Sequence, residues 1–215
     1  SNPENQAQIA KKLVGLLDSD DAGVVSRAAH DLQALAQDHA GAPVVIVNAG
    51  AISPLVTVLS NGKTHEGRQE AAKTLQTLAN SGAANQLAIA VGLVALLGVG
   101  TDEAQEYVTA LLLELSSGIA DNLHNRRAIA NAGPFKMLVQ QFSSDSVKVK
   151  SLAAAVMSKL SGDSDENVTQ IAAAKGIKPL VFLLDAEKPE TQADVATILA
   201  DMTCVAQEHA VDVAK

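Results

Sequence analysis

Two glycine-containing segments carry residues that phosphate chemistry would use. Asn61-Gly62-Lys63-Thr64 has the tail of a phosphate-binding loop, but Thr57 stands where that loop requires its first glycine. Gly98-Val99-Gly100 begins like a dinucleotide-binding glycine pattern, but position 103 is a glutamate. Both segments follow predicted helices rather than strands, so we interpret them as loops and predict that the chain binds no cofactor.

Acidic runs and histidines are the candidate metal ligands. Asp18 and Asp20 begin like a calcium loop, but Ala29 occupies the twelfth place, where calcium needs a bidentate glutamate. The run at 163–167 fails in the same way, because Ala174 stands at its twelfth place. The five histidines are scattered, and no His-x-x-x-His or Cys-x-x-Cys spacing offers a zinc site. We therefore predict that no metal binds and that the acidic runs cap helix N-termini.

The single cysteine, Cys204, is the remaining candidate nucleophile. It lies in an alanine-rich helical pattern, which predicts a small buried hydrophobic residue rather than a reactive thiol. We therefore predict that the protein is not an enzyme. One cysteine cannot form an internal disulfide, which favours a reducing compartment, and we expect a location in the cytoplasm or the nucleus.

Composition limits the kinds of partner. Among 215 residues, 24 Asp and Glu against 16 Lys and Arg give a net charge of −8, which repels phosphate backbones and anionic lipid. Arg126 and Arg127, near His124, form the densest basic spot, and we interpret them as an isolated solvated pair. No apolar run reaches the roughly 18 residues of a membrane span. We predict no nucleic-acid partner and no direct insertion into a membrane.

The elements that position these residues repeat about every 42 residues. A leucine motif returns at steps of 42, 38, 45 and 42 residues. Its copies are Leu13–Leu17, Leu55–Leu59, Leu93–Leu97, Leu138–Phe142 and Leu180–Leu184. An alanine-rich echo follows each copy, at 28–36, 71–79, 108–116, 153–161 and 195–203. Its alanines and large apolar residues recur at helical spacing, which predicts a long helix with one apolar stripe.

A third, shorter echo comes before the leucine motif and ends at Gly50, Gly133 and Gly176. Glycine after a helical stripe predicts a stop with positive φ. One unit is therefore a short helix, a glycine turn, a leucine-motif helix, a polar loop and a long alanine-rich helix. The third unit departs from this pattern, because Ala90-Val91-Gly92 runs straight into Leu93, and we expect a tightened or rearranged corner there.

The unit, with three helices in about 42 residues, resembles an armadillo repeat. The residues that carry the resemblance are Ala49-Gly50-Ala51-Ile52-Ser53-Pro54-Leu55-Val56 and the alanines and leucines of 71–79. Two-helix HEAT repeats lack the short helix and the glycine turn. The resemblance implies an all-α, right-handed superhelical solenoid of about five three-helix repeats. We predict a single armadillo-repeat domain over 1–215, with units at roughly 1–38, 39–80, 81–118, 119–162 and 163–205, and with 206–215 beginning a further unit.

The end of the chain repeats an earlier segment. Ala36-Gln37-Asp38-His39-Ala40 returns as Ala206-Gln207-Glu208-His209-Ala210. We expect residues 211–215 to open another short helix. We also expect the chain to be a fragment of a longer solenoid, with degenerate terminal caps as the alternative.

In armadillo proteins the long third helices line a concave groove, and an extended partner peptide commonly lies along it. Nuclear-import receptors of this kind carry Trp and Asn ladders on their third helices. Here the Trp places hold His30, Lys73, Ala110, Ala155 and Thr197, and the Asn places hold Ala34, Thr77, Glu114, Lys159 and Asp201. Neither ladder exists, so we predict that the protein is not a nuclear-import receptor.

The groove positions give the predicted partner-binding residues. They are His30, Gln69, Lys73, Thr77, Glu106, Tyr107, Glu114, Ser151, Lys159 and Asp201. Glu106 and Glu114 form an acidic middle between Lys73 and Lys159, which favours a partner with a basic centre. The alternative interpretation is that these residues are solvated helix faces and that Tyr107 is half-buried packing.

We interpret the chain as a non-catalytic protein-binding scaffold or adaptor that takes a protein or peptide partner. One alternative is a substrate-recruiting fragment of a larger enzyme, such as a ubiquitin ligase. Another is a structural adaptor associated with a membrane or the cytoskeleton. We expect a monomer or weak end-to-end self-association.

Overall fold

The computed structural model describes residues 3–38, 41–117, 122–186 and 188–213. In these ranges the regular elements are thirteen α-helices, and none of the described residues is in a strand. The chain divides into two compact units, 1–111 and 112–215. The all-α fold predicted from the sequence is confirmed.

The helices follow the predicted repeat. The first unit holds α1 (Pro3–Leu16), α2 (Ala22–Asp38), α3 (Ala42–Asn48), α4 (Ile52–Asn61), α5 (His65–Ala79), α6 (Ala83–Leu96) and the start of α7 (Asp102–Ser117). The second holds the end of α7, then α8 (Asn122–Asn131), α9 (Phe135–Gln141), α10 (Val147–Ser161), α11 (Asp165–Ala173), α12 (Ile177–Leu183) and α13 (Pro189–Val213). The leucine motifs lie in α1, α4, α6, α9 and α12, and the alanine-rich segments lie in α2, α5, α7, α10 and α13.

Two of the three predicted glycine turns have the expected backbone. Gly50 has a φ of 84° between α3 and α4, and Gly133 has a φ of 75° between α8 and α9. A residue without Cβ takes this left-handed conformation with little steric cost. The turn at Gly50 lets α4 leave α3 at an angle of 81°.

The prediction of a positive φ at Gly176 is wrong. The left-handed residue is Lys175, with a φ of 62°, whereas Gly176 has a φ of −69° and caps α12. A Cβ on Gly176 would lie 3.0 Å from the Ile171 carbonyl oxygen and 3.2 Å from Val139 Cγ2. Glycine is needed there because the backbone is closely packed, not because of its conformation.

Of the two expectations for the third unit, a tightened or a rearranged corner, the structure shows the rearranged one. Helix α6 is continuous from Ala83 to Leu96, so the short helix and the leucine-motif helix are fused, with Gly92 in the interior. A Cβ on Gly92 would lie 3.5 Å and 3.6 Å from the two methyl groups of Val56, so α6 passes close to α4. Deleting the turn residues joined two helices instead of tightening the bend between them.

Small residues let the third helices approach each other. Ala28 and Ala29 of α2 and Ala71 of α5 are buried where these two helices pack together. The Thr74 hydroxyl, also fully buried, donates to the Ala29 carbonyl at 3.0 Å. Fully buried Leu32 contributes about 1.5–3 kcal/mol to stability, as a leucine does when its side chain leaves water.

Three third helices, α5, α7 and α10, are each bound at their C-terminal end by one asparagine of the next helix. The sequence analysis did not predict these contacts. Asn85 Nδ2 donates to the Leu78 carbonyl at 3.3 Å, Asn125 to that of Leu115 at 3.4 Å, and Asn167 to that of Leu160 at 2.8 Å. The three acceptors occupy the same place of the repeat. Each bond adds a donor to a carbonyl in the last turn of a helix, and the Leu78 and Leu160 carbonyls also accept from the amides of Ser81 and Asp163.

The acidic runs cap helices, as predicted. Asp21 Oδ1 accepts from the Gly23 amide at 2.8 Å at the start of α2. At α11 the Ser164 hydroxyl accepts from the Asn167 amide at 3.3 Å, and Asp165 and Glu166 occupy the first turn. These side chains stabilise the N-termini of α2 and α11 by capping free amides and by placing negative charge at the positive end of the helix.

Helix α13 is longer than the repeat predicts. It continues for 25 residues, from Pro189 to Val213. Residues 211–213, which we expected to open a separate short helix, instead extend α13. Residues 214–215 lie outside the described residues.

Candidate functional site

The predicted partner-binding residues lie on the third helices of each unit. In the first unit α2 packs against α5, and α7 begins beside the start of α5. In the second unit α10 packs against α13. Because these helices are held by buried alanines and leucines, their polar side chains have defined neighbours across the repeat.

Glu70 of α5 is the centre of a first polar cluster, which also contains His30 and Lys73 (the Glu70 cluster). Its side chain is only 10% exposed. The Lys73 ammonium donates to Oε1 at 2.7 Å, and His30 Nδ1 lies 3.3 Å from Oε2. Burial acts to raise the pKa of Glu70, but the hydrogen bonds from Lys73 and His30 together outweigh it and lower that pKa. Glu70 is therefore a carboxylate at neutral pH, held by bases on two helices.

Glu103 of α7 is the centre of a second cluster, with His65, Arg68 and Tyr107 (the Glu103 cluster). His65 and Arg68 of α5 both bond its carboxylate. The hydrogen bond with His65 is the main cause of a lowered pKa at Glu103. The hydroxyl of half-buried Tyr107 lies 3.4 Å from His65 Nε2, and the two rings are 5.9 Å apart. The only tyrosine therefore contacts a histidine of the preceding repeat.

Of the other predicted residues in this unit, Gln69 is exposed on α5 and Glu106 is half-buried on α7. The Thr77 hydroxyl donates to the Lys73 carbonyl at 3.0 Å, within α5. The structure thus brings His30 and Lys73 together on Glu70, and it places Tyr107 in the Glu103 cluster.

In the second unit two predicted residues join α10 to α13. The Ser151 and Thr191 hydroxyls are 2.7 Å apart, and Ser161 donates to Asp201 Oδ2 at 2.7 Å. Lys159 of α10 and Glu114 of α7 are exposed. Ser151 and Asp201 already form hydrogen bonds within the fold, so a partner would compete for them.

A further carboxylate, Asp194 of α13, was not predicted. Burial raises its pKa, and the hydrogen bond from Ser158 and the charge of Lys159 oppose that rise. Asp194 is therefore a charge that the fold accommodates poorly.

The sequence analysis missed the acidic centres of both clusters. Glu70 lies three residues before Lys73 and forty after His30, which is close to one repeat. Opposite charges one repeat apart on consecutive third helices are the signal that could have identified it. Glu103 was read only as part of a loop, although it stands 35 residues after Arg68.

Two other predictions need correction. Cys204 is exposed, because this side of α13 has no neighbouring helix among the described residues. Arg126 is not an isolated solvated side chain, since its Nε donates to Asp163 Oδ2 at 2.7 Å and its exposure is low. Arg127 is exposed.

Within the described ranges, no group of three or more His, Cys, Asp or Glu side chains could hold a metal ion. No single helix there is long and apolar enough to cross a membrane. The pair α3 and α4 reaches that length and apolarity only together, across its bend.

Comparison with known proteins supports the repeat assignment. No protein-family model matches the chain. Over 163 residues it is 26% identical to the human protein "Armadillo repeat-containing protein 3", and this match covers 74% of the chain. The match spans only 18% of the length of that human protein.

Solved structures of designed proteins are also similar. An engineered protein is 31% identical, with a TM-score of 0.67, over 90% of this chain and 78% of its own. A designed armadillo repeat protein in complex with a (KR)4 peptide is 20% identical, with a TM-score of 0.62, over 93% of this chain and 91% of its own. At that identity the second likeness concerns the fold alone.

Proposed function

We propose that the chain, which is similar in sequence and fold to armadillo-repeat proteins, is a non-catalytic scaffold or adaptor whose third helices bind an extended segment of a partner protein. The observation that carries this proposal is the arrangement of polar side chains on α2 and α5. Their alanines face each other, while His30, Gln69 and Lys73 of the same helices are at least partly open to solvent.

The charges support a partner segment with a basic centre. Glu106 and Glu114 both lie on the third helix α7, and the chain as a whole carries a net charge of −8. Carboxylates on a binding surface favour lysine and arginine side chains and speed the encounter with them. A designed armadillo protein of the same fold forms its complex with a (KR)4 peptide.

The armadillo-repeat fold is typically a non-catalytic scaffold. Here the Glu70 and Glu103 clusters join side chains of neighbouring helices, which is a structural use of polar groups. We therefore assign recognition rather than turnover to this surface. A location in the cytoplasm or nucleus belongs to the same proposal.

The test is a titration of the full chain with a labelled octapeptide of alternating lysine and arginine. The double variant E106K/E114K should bind about tenfold more weakly, because attraction becomes repulsion at the proposed site. The matched control is D18K/D20K, which makes the same change in net charge at exposed residues between α1 and α2.

If both double variants bind equally, only net charge matters and the proposed site is wrong. Unchanged binding by E106K/E114K would also reject it. Since Glu106 is half-buried, circular dichroism should confirm folding, and the single variant E114K provides the same comparison at an exposed residue.

A further inference from the structure

Two histidines of the first unit each contact a carboxylate of the next third helix. His30 on α2 contacts Glu70 on α5, at 3.3 Å, and His65 on α5 bonds the carboxylate of Glu103 on α7. The side chains of His30 and His65 are 57% and 66% exposed, so both rings can exchange protons with solvent. Histidine is the side chain that ordinarily changes charge between pH 5 and 8. The contacts between α2 and α5 and between α5 and α7 therefore both contain a group whose charge depends on pH.

Few charged groups surround His30. On α5 it faces Glu70, whose carboxylate also accepts from Lys73. On α2 itself, Arg27 and Asp31 pair with each other. Helix α3, which packs against α2, contains no charged residue. The charged residues of α1, all exposed, are Glu4, Lys11 and Lys12. A proton on His30 therefore adds a second positive charge beside a carboxylate that already has one.

The surroundings of His65 are similar. On α7 it faces Glu103 and the hydroxyl of Tyr107, which lies 3.4 Å from its Nε2. On α5 itself, Arg68 bonds the same carboxylate and Glu66 is exposed. Helices α3, α4 and α6, which pack against α5, contain no charged residue. A proton on His65 therefore also adds charge beside a carboxylate that already has a cationic partner.

The third helices of this unit carry a moderate negative charge. Helices α2 and α5 and the part of α7 up to Leu111 contain seven acidic and three basic residues, a net charge of −4 with neutral histidines. The acidic residues are Asp31, Asp38, Glu66, Glu70, Asp102, Glu103 and Glu106, and the basic residues are Arg27, Arg68 and Lys73. Protonation of His30 and His65 adds two charges and leaves −2. Two histidines thus control half of the net charge of these helices.

The carboxylates keep their charge over the range in which histidine titrates. Burial acts to raise the pKa of Glu70, but its hydrogen bonds with Lys73 and His30 lower that pKa overall from 4.5. The hydrogen bond with His65 is the main cause of the lowered pKa of Glu103. Between pH 5 and 8 the side chains of these clusters that change charge are therefore the histidines.

We infer that the third helices of the first unit bind a basic partner segment more tightly above the histidine range of pH than below it, because protonated His30 and His65 repel that segment and compete with it for carboxylates. This inference rests on the proposed function, since it concerns the regulation of the same surface. A cation about 7 Å from another in water weakens its binding by roughly threefold. Two protonated histidines should therefore weaken binding by about tenfold at low salt, where screening is small.

The experiment compares the affinity of the full chain for a basic peptide at about pH 8 and at about pH 5.5, in low salt. The peptide is a labelled octapeptide of alternating lysine and arginine, acetylated at its N-terminus. Lysine and arginine stay charged at both pH values and acetylation removes the titrating amine, so a change in affinity reports on the protein. We expect about tenfold weaker binding at the lower pH.

Two variants make this measurement specific. The double variant H30Q/H65Q should lose most of the pH dependence, because glutamine is uncharged and can still donate to Glu70 and Glu103. The matched control is H124Q, at an exposed histidine of α8, and it should keep the full pH dependence. All three histidines are exposed, so folding should persist, and circular dichroism at both pH values checks it.

A second measurement follows the histidines themselves. The pH midpoints of the His30 and His65 ring signals, recorded by NMR, should fall when the peptide is present. Protonation weakens binding, so binding must by linkage oppose protonation to the same extent. The midpoint of His124 should stay unchanged. If the two contacts only held the helices together, the peptide would move none of these midpoints.

Two results would overturn this inference and leave the proposed groove in place. One is equal affinity at both pH values, and the other is a pH dependence that H30Q/H65Q retains. Absence of binding at both pH values is a different result, because it rejects the proposed function itself and this inference with it.

Discussion

His30 Nδ1 of α2 lies 3.3 Å from Glu70 Oε2 of α5, so a side-chain contact across forty residues joins two consecutive third helices. Lys73 donates to the other carboxylate oxygen at 2.7 Å. Because Glu70 is mostly buried, its charge is satisfied mainly by these two side chains. The packing of α2 against α5 therefore depends on the ionisation of Glu70.

Replacing Glu70 by glutamine should lower the free energy of unfolding by about 1.5–3 kcal/mol near neutral pH, the typical contribution of a hydrogen bond to a charged group. The pKa of Glu70 is lowered in the folded state from 4.5. The carboxylate thus adds stability that is fully present above that value and is lost as pH falls through the folded pKa. The difference in free energy of unfolding between wild type and E70Q, measured by urea unfolding, should therefore disappear in acid.

The matched control is D31N, which removes the exposed pair between Arg27 and Asp31 within α2. It should change stability by less than about 0.5 kcal/mol. An E70Q deficit that persists unchanged well below pH 4.5 would contradict the assignment to charge.

Two glycines near α6 should respond in opposite directions to alanine. G92A should stabilise by about 0.5–1 kcal/mol, because a Cβ fits against Val56 and helix interiors disfavour glycine. G100A should cost about 2 kcal/mol, because Gly100 has a φ of 88° and its Cβ would lie 2.7 Å from the Ser60 carbonyl. Thermal unfolding of the pair decides this, and a destabilised G92A would show that α6 bends at that residue.

At the end of α11, substitutions of the neighbouring residues Lys175 and Gly176 should change the free energy of unfolding in opposite directions. K175G should stabilise by about 0.5–1 kcal/mol, because it relieves a left-handed lysine. G176A should destabilise by about 1–3 kcal/mol, because its Cβ would crowd Ile171 and Val139. Urea unfolding of both variants provides the measurement. Equal effects of the same sign would refute the separate roles given to these residues.

D194N should be more stable than wild type at neutral pH. The pKa of Asp194 is raised in the folded state from 3.8, so its ionised form costs stability above the folded pKa and nothing below 3.8. Asparagine removes that cost and still accepts from Ser158. The advantage in urea midpoint should therefore vanish in acid, whereas exposed D145N should show none at either pH.

Much of the fold could be predicted because the repeated residues determine helices and turns through local properties of the chain. Leucine and alanine spacing predicts helix faces, and Gly50 and Gly133 predict turns through their own backbone freedom. The predictions that were wrong concern features that depend on packing against other repeats. Gly176 has a negative φ and is crowded by Ile171 and by Val139, and the contact with Val139 of an earlier repeat is contained in no local pattern.

The candidate site was harder to predict for the same reason. The sequence indicates which residues lie on the third helices, but Ser151 and Asp201 turned out to bond Thr191 and Ser161. Their partners stand forty residues away, so only a comparison of charges and hydroxyls across one repeat could have suggested the pairs. The predicted burial of Cys204 is wrong because a residue on an apolar stripe is buried only where another helix packs against it.

The asparagines that bind the ends of the third helices have a consequence for helix length. Helices α5, α7 and α10 stop within two residues of the leucine whose carbonyl an asparagine holds. In α13 the corresponding residue is Met202, no asparagine of the described segments binds its carbonyl, and the helix continues for eleven more residues. A substitution at Asn85, Asn125 or Asn167 would therefore act on the last turn of the preceding helix, α5, α7 or α10, as well as on its own segment.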